Sequence, residues 1–229
     1  MQEENSLVKL SQQLLLAARF SNESRELLRE LLALPADSVA ALSDDERKAF
    51  WINLYNAFTQ TLLKANPFLY RNKHRFFTAK QITIAGQLIS LDAIEHGILR
   101  RSKIKWAFGY LGKLFPSALE KAWRVAKVDA RIHFALNCGA KSCPPIAFYS
   151  SLHQDRQLAV ATKSYLESEV SEQGNALLLP AIMGWFRGDF GGRKGIRKLL
   201  RENGYPQCNA STGIRFQNYN WQLSLDKYS

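Results

Sequence analysis

Apolar residues recur at intervals of three and four along much of the chain, which is the period of an amphipathic helix. Residues 6–34 are leucine-rich at this spacing, and Phe20-Ser21-Asn22 divides them into two short helices. Ser43-Asp-Asp-Glu46 has the form of a capping box that opens a third helix, from Asp44 to about Ala65. The same spacing predicts helices at 102–128, 154–170 and 193–203.

Short alternating segments predict the strands. A hairpin that turns at Ala85-Gly86 is predicted over 81–90, a short strand over 175–179, and one or two closing strands over 214–225. The segment Arg131 to Cys138 also alternates, with apolar residues at every second position. If this segment is a strand, His133 and Asn137 share its polar face and Cys138 lies on its apolar face.

These elements predict an α+β fold that is mostly helical, with a small, largely antiparallel sheet whose central strand is 131–138. We expect residues 1–42 to form a helical region that packs on a main α+β domain of residues 43–229. A permuted papain-like arrangement is one form that this fold could take, because a histidine precedes the cysteines in the sequence.

Composition and charge restrict which partners and which cellular compartment we expect for the protein. The net charge of +11 favours an anionic partner, and nucleic acid is neither required nor excluded by it. No apolar run reaches the roughly 18 residues of a membrane span, so we expect an unexported protein without a transmembrane segment. Three cysteines without a Cys-x-x-Cys motif favour a reducing, cytoplasmic compartment.

The segment Asp129 to Pro145 concentrates candidate chemistry, since it contains His133, Asn137, Cys138, Ser142 and Cys143. Because Pro144 excludes its predecessor from a helix interior, Cys143 is predicted at a helix N-terminus, where the helix dipole stabilises a thiolate. On the predicted strand, Cys138 faces the core and is the alternate nucleophile.

Other candidates come from helices that carry polar groups among apolar ones. Glu95 falls inside the apolar arc of a helix capped by Ser90, next to His96, and a buried carboxylate of this kind must be paired or protonated. Asn53 and Asn56 form an amide stripe on the third helix, which either tethers backbone or faces a pocket. Trp185 and Asp189 lie in a glycine-bracketed loop and are candidate pocket-wall residues.

Four blocks of sequence resemble the domain of unknown function 547 family. They are FWINLYNA, SLDAIEHGILR, HFALNCGAKSCPP and WFRGDFGG, and they span roughly residues 44 to 228. The resemblance implies no defined activity. It also implies that the Glu-His pair and the histidine before the turn are steadier features than the cysteines, which weighs against a cysteine nucleophile.

Three functional interpretations remain open. The first is a thiol-dependent hydrolase or acyl transferase acting on an amide or ester of a small molecule or peptide. In it Cys143 or Cys138 is the nucleophile, His133 or His96 is the base, and Glu95 or Asn137 orients the base. The second is a metal site built from the histidines and cysteines, although the spacing fits no known motif and we expect no metal and no cofactor. The third is a non-enzymatic basic scaffold with a structural Glu/His network.

Overall fold

The computed structural model describes residues 3–229, and most of its regular structure is helical. Nine α-helices are described in this part of the chain: α1 Ser6–Phe20, α2 Arg25–Ala33, α3 Ala36–Ala40, α4 Asp44–Ala65, α5 Lys73–Thr78, α6 Ala118–Trp123, α7 Gln154–Glu169, α8 Ala181–Trp185 and α9 Gly192–Glu202. The 3₁₀ helices are Pro67–Asn72, Ala130–Phe134 and Ser151–His153, and Ala93–Leu99 is a π-helix. The mostly helical α+β class predicted from the sequence is confirmed.

The strands form two small sheets. β1 Ile82–Ile84 and β2 Gln87–Ile89 are an antiparallel hairpin, whose turn residues Ala85 and Gly86 have φ of 49° and 70° as predicted for a tight turn. β3 Ser171–Gln173 pairs antiparallel with β4 Ala176–Leu179, and β4 pairs in parallel with β5 Gly213–Phe216. Beyond β5 the chain is irregular and returns to the cysteine segment through isolated bridges.

The long helix α4 organises the main core. Its N-terminus has the predicted capping box, in which the Ser43 hydroxyl accepts from the Glu46 N–H and the Glu46 carboxylate accepts from the Ser43 N–H. Trp51 and Leu54 on α4 and Val8 on α1 are fully buried in one hydrophobic cluster. A second cluster surrounds β4 and α9, and Phe134 belongs to it. The boundary between residues 42 and 43 stays a prediction.

Two sequence predictions of secondary structure are wrong. Residues 131–138 are not a strand, because Ala130–Phe134 is a 3₁₀ helix and the residues that follow it are irregular. The apolar alternation has a different origin, since Ile132 packs into the first hydrophobic cluster and Phe134 into the second. Residues 102–128 are mostly irregular instead of helical, and only α6 forms there.

Candidate functional site

A cavity of about 270 Å³ opens where the π-helix, the Ala130–Phe134 turn, α8 and the C-terminal segment meet. Its lining combines aromatic and apolar side chains with several ionisable groups. The lining residues are Tyr55, Phe77, Asp92, Glu95, His96, Lys105, His133, Leu136, Cys138, Pro144, Ile182, Trp185, Phe186, Tyr219 and Trp221. A cavity of this size with a few convergent polar groups is typical of a small-molecule or side-chain site.

The π-helix places Glu95 and His96 at the cavity. It is identified by hydrogen bonds from the Arg100 N–H to the Glu95 carbonyl and from the Ser102 N–H to the Gly97 carbonyl, each 2.8 Å and spanning five residues. The wider turn is uncommon and occurs frequently at functional sites. Ser90 caps its start as predicted, with its hydroxyl accepting from the Ala93 N–H.

Glu95 is a carboxyl group held in apolar surroundings. Its side chain is 15% exposed, and the Tyr55 hydroxyl donates to its Oε2 at 3.2 Å. Burial raises the pKa of Glu95 to about 7, although the Arg100 charge opposes this shift. A carboxyl group with a pKa of this value exchanges a proton readily near neutral pH.

Asp189 joins two chain segments at the side of the cavity. Its Oδ2 accepts from Arg100 Nε at 2.6 Å and from His133 Nε2 at 2.9 Å, and the side chains of Asp189 and Arg100 are fully buried. Burial alone would raise the pKa of Asp189, but the hydrogen bonds from His133 and Arg100 outweigh it and keep the pKa below its ordinary value. Asp189 is therefore an anion whose charge is balanced by Arg100.

His133 is the neutral member of this group. Its ring stacks on Phe186 at 4.0 Å with an interplanar angle of 3°. Burial lowers the pKa of His133, although its hydrogen bond to Asp189 opposes this shift. Because an ionised Asp189 can only accept, Nε2 carries the proton and Nδ1 keeps its lone pair. Among residues 3–229, no atom forms a hydrogen bond with Nδ1 of His133.

His96 is held in the same tautomer by a different contact. Arg100 Nη1 donates to its Nδ1 at 3.0 Å, so the proton of the neutral ring lies on Nε2. Asp92 Oδ1 lies 3.7 Å from this Nε2, beyond hydrogen-bonding distance. Burial and the Arg100 charge lower the pKa of His96 well below its ordinary value. The ring is a neutral hydrogen-bond donor at the cavity.

The two thiols are in contact, and neither lies where the sequence predicts it. Cys143 is fully buried and begins no helix, so its predicted exposure at a helix N-terminus is wrong. Cys138 is partly exposed and lines the cavity, although the sequence placed it toward the core. The sulfur atoms are 2.7 Å apart, and the Tyr219 hydroxyl lies 3.3 Å from Cys138 Sγ and 3.1 Å from Cys143 Sγ.

The environment separates the acidities of these thiols. A hydrogen bond from Cys143 lowers the pKa of Cys138, with further help from Tyr219, whereas burial raises the pKa of Cys143 well above its ordinary value. Cys138 is therefore the better thiolate. Neither thiol hydrogen-bonds an imidazole in the described part of the chain.

Other predicted site residues have tethering contacts. Asn137, expected to orient a histidine, is buried and donates to the Pro144 carbonyl while accepting from the Gly139 N–H. Ser142 lies outside the cavity and accepts from the Asn220 N–H. These two residues hold the cysteine turn and the C-terminal segment together.

The amide stripe of α4 also contacts backbone and does not line the cavity. Asn53 bridges the N–H and carbonyl groups of Tyr149, and Asn56 bridges the Ala135 carbonyl and the Asn137 N–H. Both amides are fully buried. The structure thus favours the tethering alternative over a binding role.

Sequence reasoning missed several residues of the site and found others. Trp185 lines the cavity as expected, and Asp189 lies beside it as the partner of His133. Arg100 was not among the candidate site residues, yet it is fully buried between His96 and Asp189. Its position one helical turn after His96 was the available signal. Tyr55, Tyr219 and Trp221 gave no signal beyond their aromatic character.

Within 3–229, the histidine, cysteine and carboxylate side chains form no group of three or more with the arrangement to hold a metal ion. None of the helices described there combines the length and apolar character that crossing a membrane requires.

The fold and the cavity define an α+β protein with a buried carboxylate–histidine–arginine network beside a thiol pair. The family model described as a protein of unknown function, DUF547, matches residues 39–166, and the chain belongs to this family. No curated protein and no solved structure matches the chain. The permuted papain-like arrangement therefore stays a prediction.

Proposed function

We propose that the protein is a thiol-dependent hydrolase or acyl transferase that acts on an amide or ester bound in the cavity, with Cys138 as the nucleophile. The observation that carries the proposal is that Cys138 lines the same cavity as Glu95, His96 and His133 and has a pKa lowered by its hydrogen bond from Cys143. A partly exposed thiol of lowered pKa beside neutral imidazoles is the arrangement that nucleophilic catalysis requires.

In this proposal His133 acts as the general base. The Cys138 sulfur attacks the carbonyl carbon, and the thiol proton passes to His133 Nδ1, the nitrogen that keeps its lone pair. The imidazolium that forms is stabilised by Asp189, which already accepts from Nε2 at 2.9 Å. Asp189 thus replaces the predicted Asn137 as the residue that orients the base.

The other two groups would handle the developing charges. His96 presents its Nε2–H to the cavity, where it can donate to the carbonyl oxygen as that oxygen becomes negative. Glu95, whose pKa is about 7, can protonate the leaving amine or alcohol as the carbon–nitrogen or carbon–oxygen bond breaks. Water or a second nucleophile then releases the acyl group from sulfur, which distinguishes a hydrolase from a transferase.

The shape of the cavity restricts the substrate. Trp185, Phe186 and Trp221 form the aromatic part of the cavity wall, and the volume of about 270 Å³ admits a small molecule or one peptide side chain. An apolar or aromatic group next to the scissile bond fits this wall.

The test is labelling of the native protein with an electrophilic thiol probe across pH. We expect Cys138 to react first and below the pH at which an ordinary thiol reacts. Cys143→Ser replaces the donor to Cys138 and changes the pH dependence, while Cys208→Ser, a buried thiol in the second hydrophobic cluster, is the matched control. Labelling that is unchanged in Cys138→Ser would contradict the proposal.

The non-enzymatic alternative has one observation in its favour. The Arg100–Asp189 pair and both tethering amides are fully buried, as expected for a polar network that fixes a fold. A basic scaffold of net charge +11 predicts salt-sensitive binding to anionic partners that is independent of Cys138 and His133. The scaffold interpretation would be favoured if Cys138→Ser and His133→Gln still bind heparin at low salt and the thiols of the native protein do not react with the probe.

A further inference from the structure

The loop of residues 103–116 exposes more large apolar side chains than any segment of comparable length among residues 3–229. Six of its side chains are exposed, with exposed fractions from 45% at Phe108 to 87% at Phe115: Trp106, Phe108, Tyr110, Leu111, Leu114 and Phe115. Scattered exposed apolar residues are ordinary, but a contiguous group marks an interaction surface.

The backbone of the 103–116 loop is closed on itself. Lys103 bridges Gly112, and the Ile104 N–H donates to the Leu111 carbonyl at 2.9 Å. Within the tip, the Tyr110 N–H donates to the Ala107 carbonyl at 3.0 Å. These contacts hold the loop in a closed turn with its large side chains on the outside.

The loop is also fixed to the body of the protein. The Gly188 N–H donates to the Phe108 carbonyl at 2.7 Å, and the Arg187 guanidinium lies 4.1 Å above the Phe108 ring. At Gly109, where φ is +84°, a Cβ atom would lie 2.6 Å from Asp189 Oδ1. This close approach permits only glycine at position 109, and it keeps the loop backbone against Asp189.

Charge indicates what the loop contacts. The sequence from Arg101 to Leu119 contains four cationic residues and no acidic residue: Arg101, Lys103, Lys105 and Lys113. Lys105 and Lys113 pair with Asp92 and Glu120, whereas no salt bridge among residues 3–229 involves Arg101 or Lys103. Aromatic side chains surrounded by lysine and arginine suit the interface of an anionic lipid bilayer.

We propose that the 103–116 loop docks the protein on anionic membrane surfaces, with its aromatic tip in the headgroup region and its basic residues at the lipid phosphates. The docking is peripheral and reversible. It adds a location to the molecule: none of the six exposed side chains lines the cavity, whereas Lys105 of the same loop does.

The test is co-sedimentation of the full chain with phosphatidylcholine vesicles that either contain or lack phosphatidylserine. We expect binding that requires phosphatidylserine and weakens with salt. Phe115→Ala should lower the partition coefficient about tenfold, because it removes a large apolar group from the interface. Phe68→Ala is the matched control, since Phe68 is 67% exposed on a different surface, and should leave binding unchanged.

Charge is tested separately. Lys103→Gln should lower binding to phosphatidylserine vesicles about fivefold, since each lysine near an anionic surface contributes a factor of that order. Lys163→Gln on α7, at a lysine that is 64% exposed, should have little effect. Absence of vesicle binding, or equal losses in test and control variants, would overturn the proposal. So would self-association that Phe115→Ala abolishes without any vesicle binding.

Discussion

Nε2 of His133 lies 2.9 Å from Oδ2 of Asp189, although 56 positions separate the two residues in the chain. The contact fixes the tautomer of the histidine and connects the turn that carries it to the loop after α8. Arg100 donates to the same oxygen, so Oδ2 of Asp189 also neutralises the charge of a buried arginine.

The first prediction concerns removal of that charge. Asp189→Asn keeps the shape of the side chain but leaves the fully buried Arg100 without an anionic partner. We expect the free energy of unfolding to fall by about 3–5 kcal/mol, as for other broken buried pairs. Urea denaturation of the variant and of the wild-type protein measures this difference in the free energy of unfolding.

Asp155→Asn is the control for this prediction. Asp155 is 89% exposed and pairs with Arg131 at the surface, so its loss should change the free energy of unfolding by less than about 1 kcal/mol. Equal decreases in the free energy of unfolding in the two variants would show that the buried Arg100–Asp189 pair stabilises the fold no more than the exposed Arg131–Asp155 pair.

The second prediction concerns Glu95 and pH. Its pKa is about 7 in the folded protein and ordinarily 4.5, so between these values the folded state binds more protons than the unfolded state. Stability must therefore fall as pH rises from 4.5 to about 7 and then level off. The loss is about 3.5 kcal/mol, at 1.4 kcal/mol for each of the 2.5 pH units between the two pKa values.

Glu95→Gln should remove this pH dependence, because the amide does not titrate. The measurement is the difference in the free energy of unfolding between the variant and the wild-type protein at several pH values from 4.5 to 8. A constant difference across that range would mean that the carboxylate of Glu95 is not destabilised by burial.

The third prediction concerns the protonation of the two site histidines. Both pKa values are lowered, and the contacts with Asp189 and Arg100 place the proton on Nε2 in each ring. At pH 7 we expect His96 and His133 to be neutral Nε2–H tautomers. Two-bond ¹⁵N–¹H spectra of the imidazoles report this directly, with His96→Gln and His133→Gln used for assignment. An Nδ1–H signal from either ring would refute the arrangement.

The fourth prediction concerns the thiol pair. With their sulfur atoms 2.7 Å apart, Cys138 and Cys143 should form a disulfide when a mild oxidant such as diamide accepts the two electrons and two protons. The bond should block probe labelling at Cys138 and dithiothreitol should restore it. Non-reducing peptide mapping identifies the linkage. Oxidation that instead joins Cys208 to either residue would contradict the structure.

Local signals explain what the sequence predicted correctly. The capping box at Ser43, the turn at Ala85-Gly86 and the long amphipathic helices are each determined by neighbouring residues, and all are present. Glu95 stood out in the same way, since a carboxylate among apolar positions on one helix face is visible without knowledge of the fold. The structure places it in apolar surroundings at the cavity.

Long-range contacts explain the rest. The alternation at 131–138 suggested one buried face, but Ile132 and Phe134 enter different hydrophobic clusters and side chains from α4 hold the backbone between them. Arg100 resembled a solvated cation because its partner Asp189 lies 89 positions away. Both thiols contact the hydroxyl of Tyr219, which lies 81 positions after Cys138 and which no local pattern connects to the cysteines.

The family match ends at residue 166, yet Asp189 and the aromatic wall residues Trp185, Phe186, Tyr219 and Trp221 all follow it. During synthesis from the N-terminus, His133 and Glu95 therefore leave the ribosome well before the residues that enclose them. Until the last third of the chain is made, His133 lacks its carboxylate and the thiols lack their tyrosine. The site is assembled last, so a nascent chain would carry Glu95 and His133 before the cavity around them has formed.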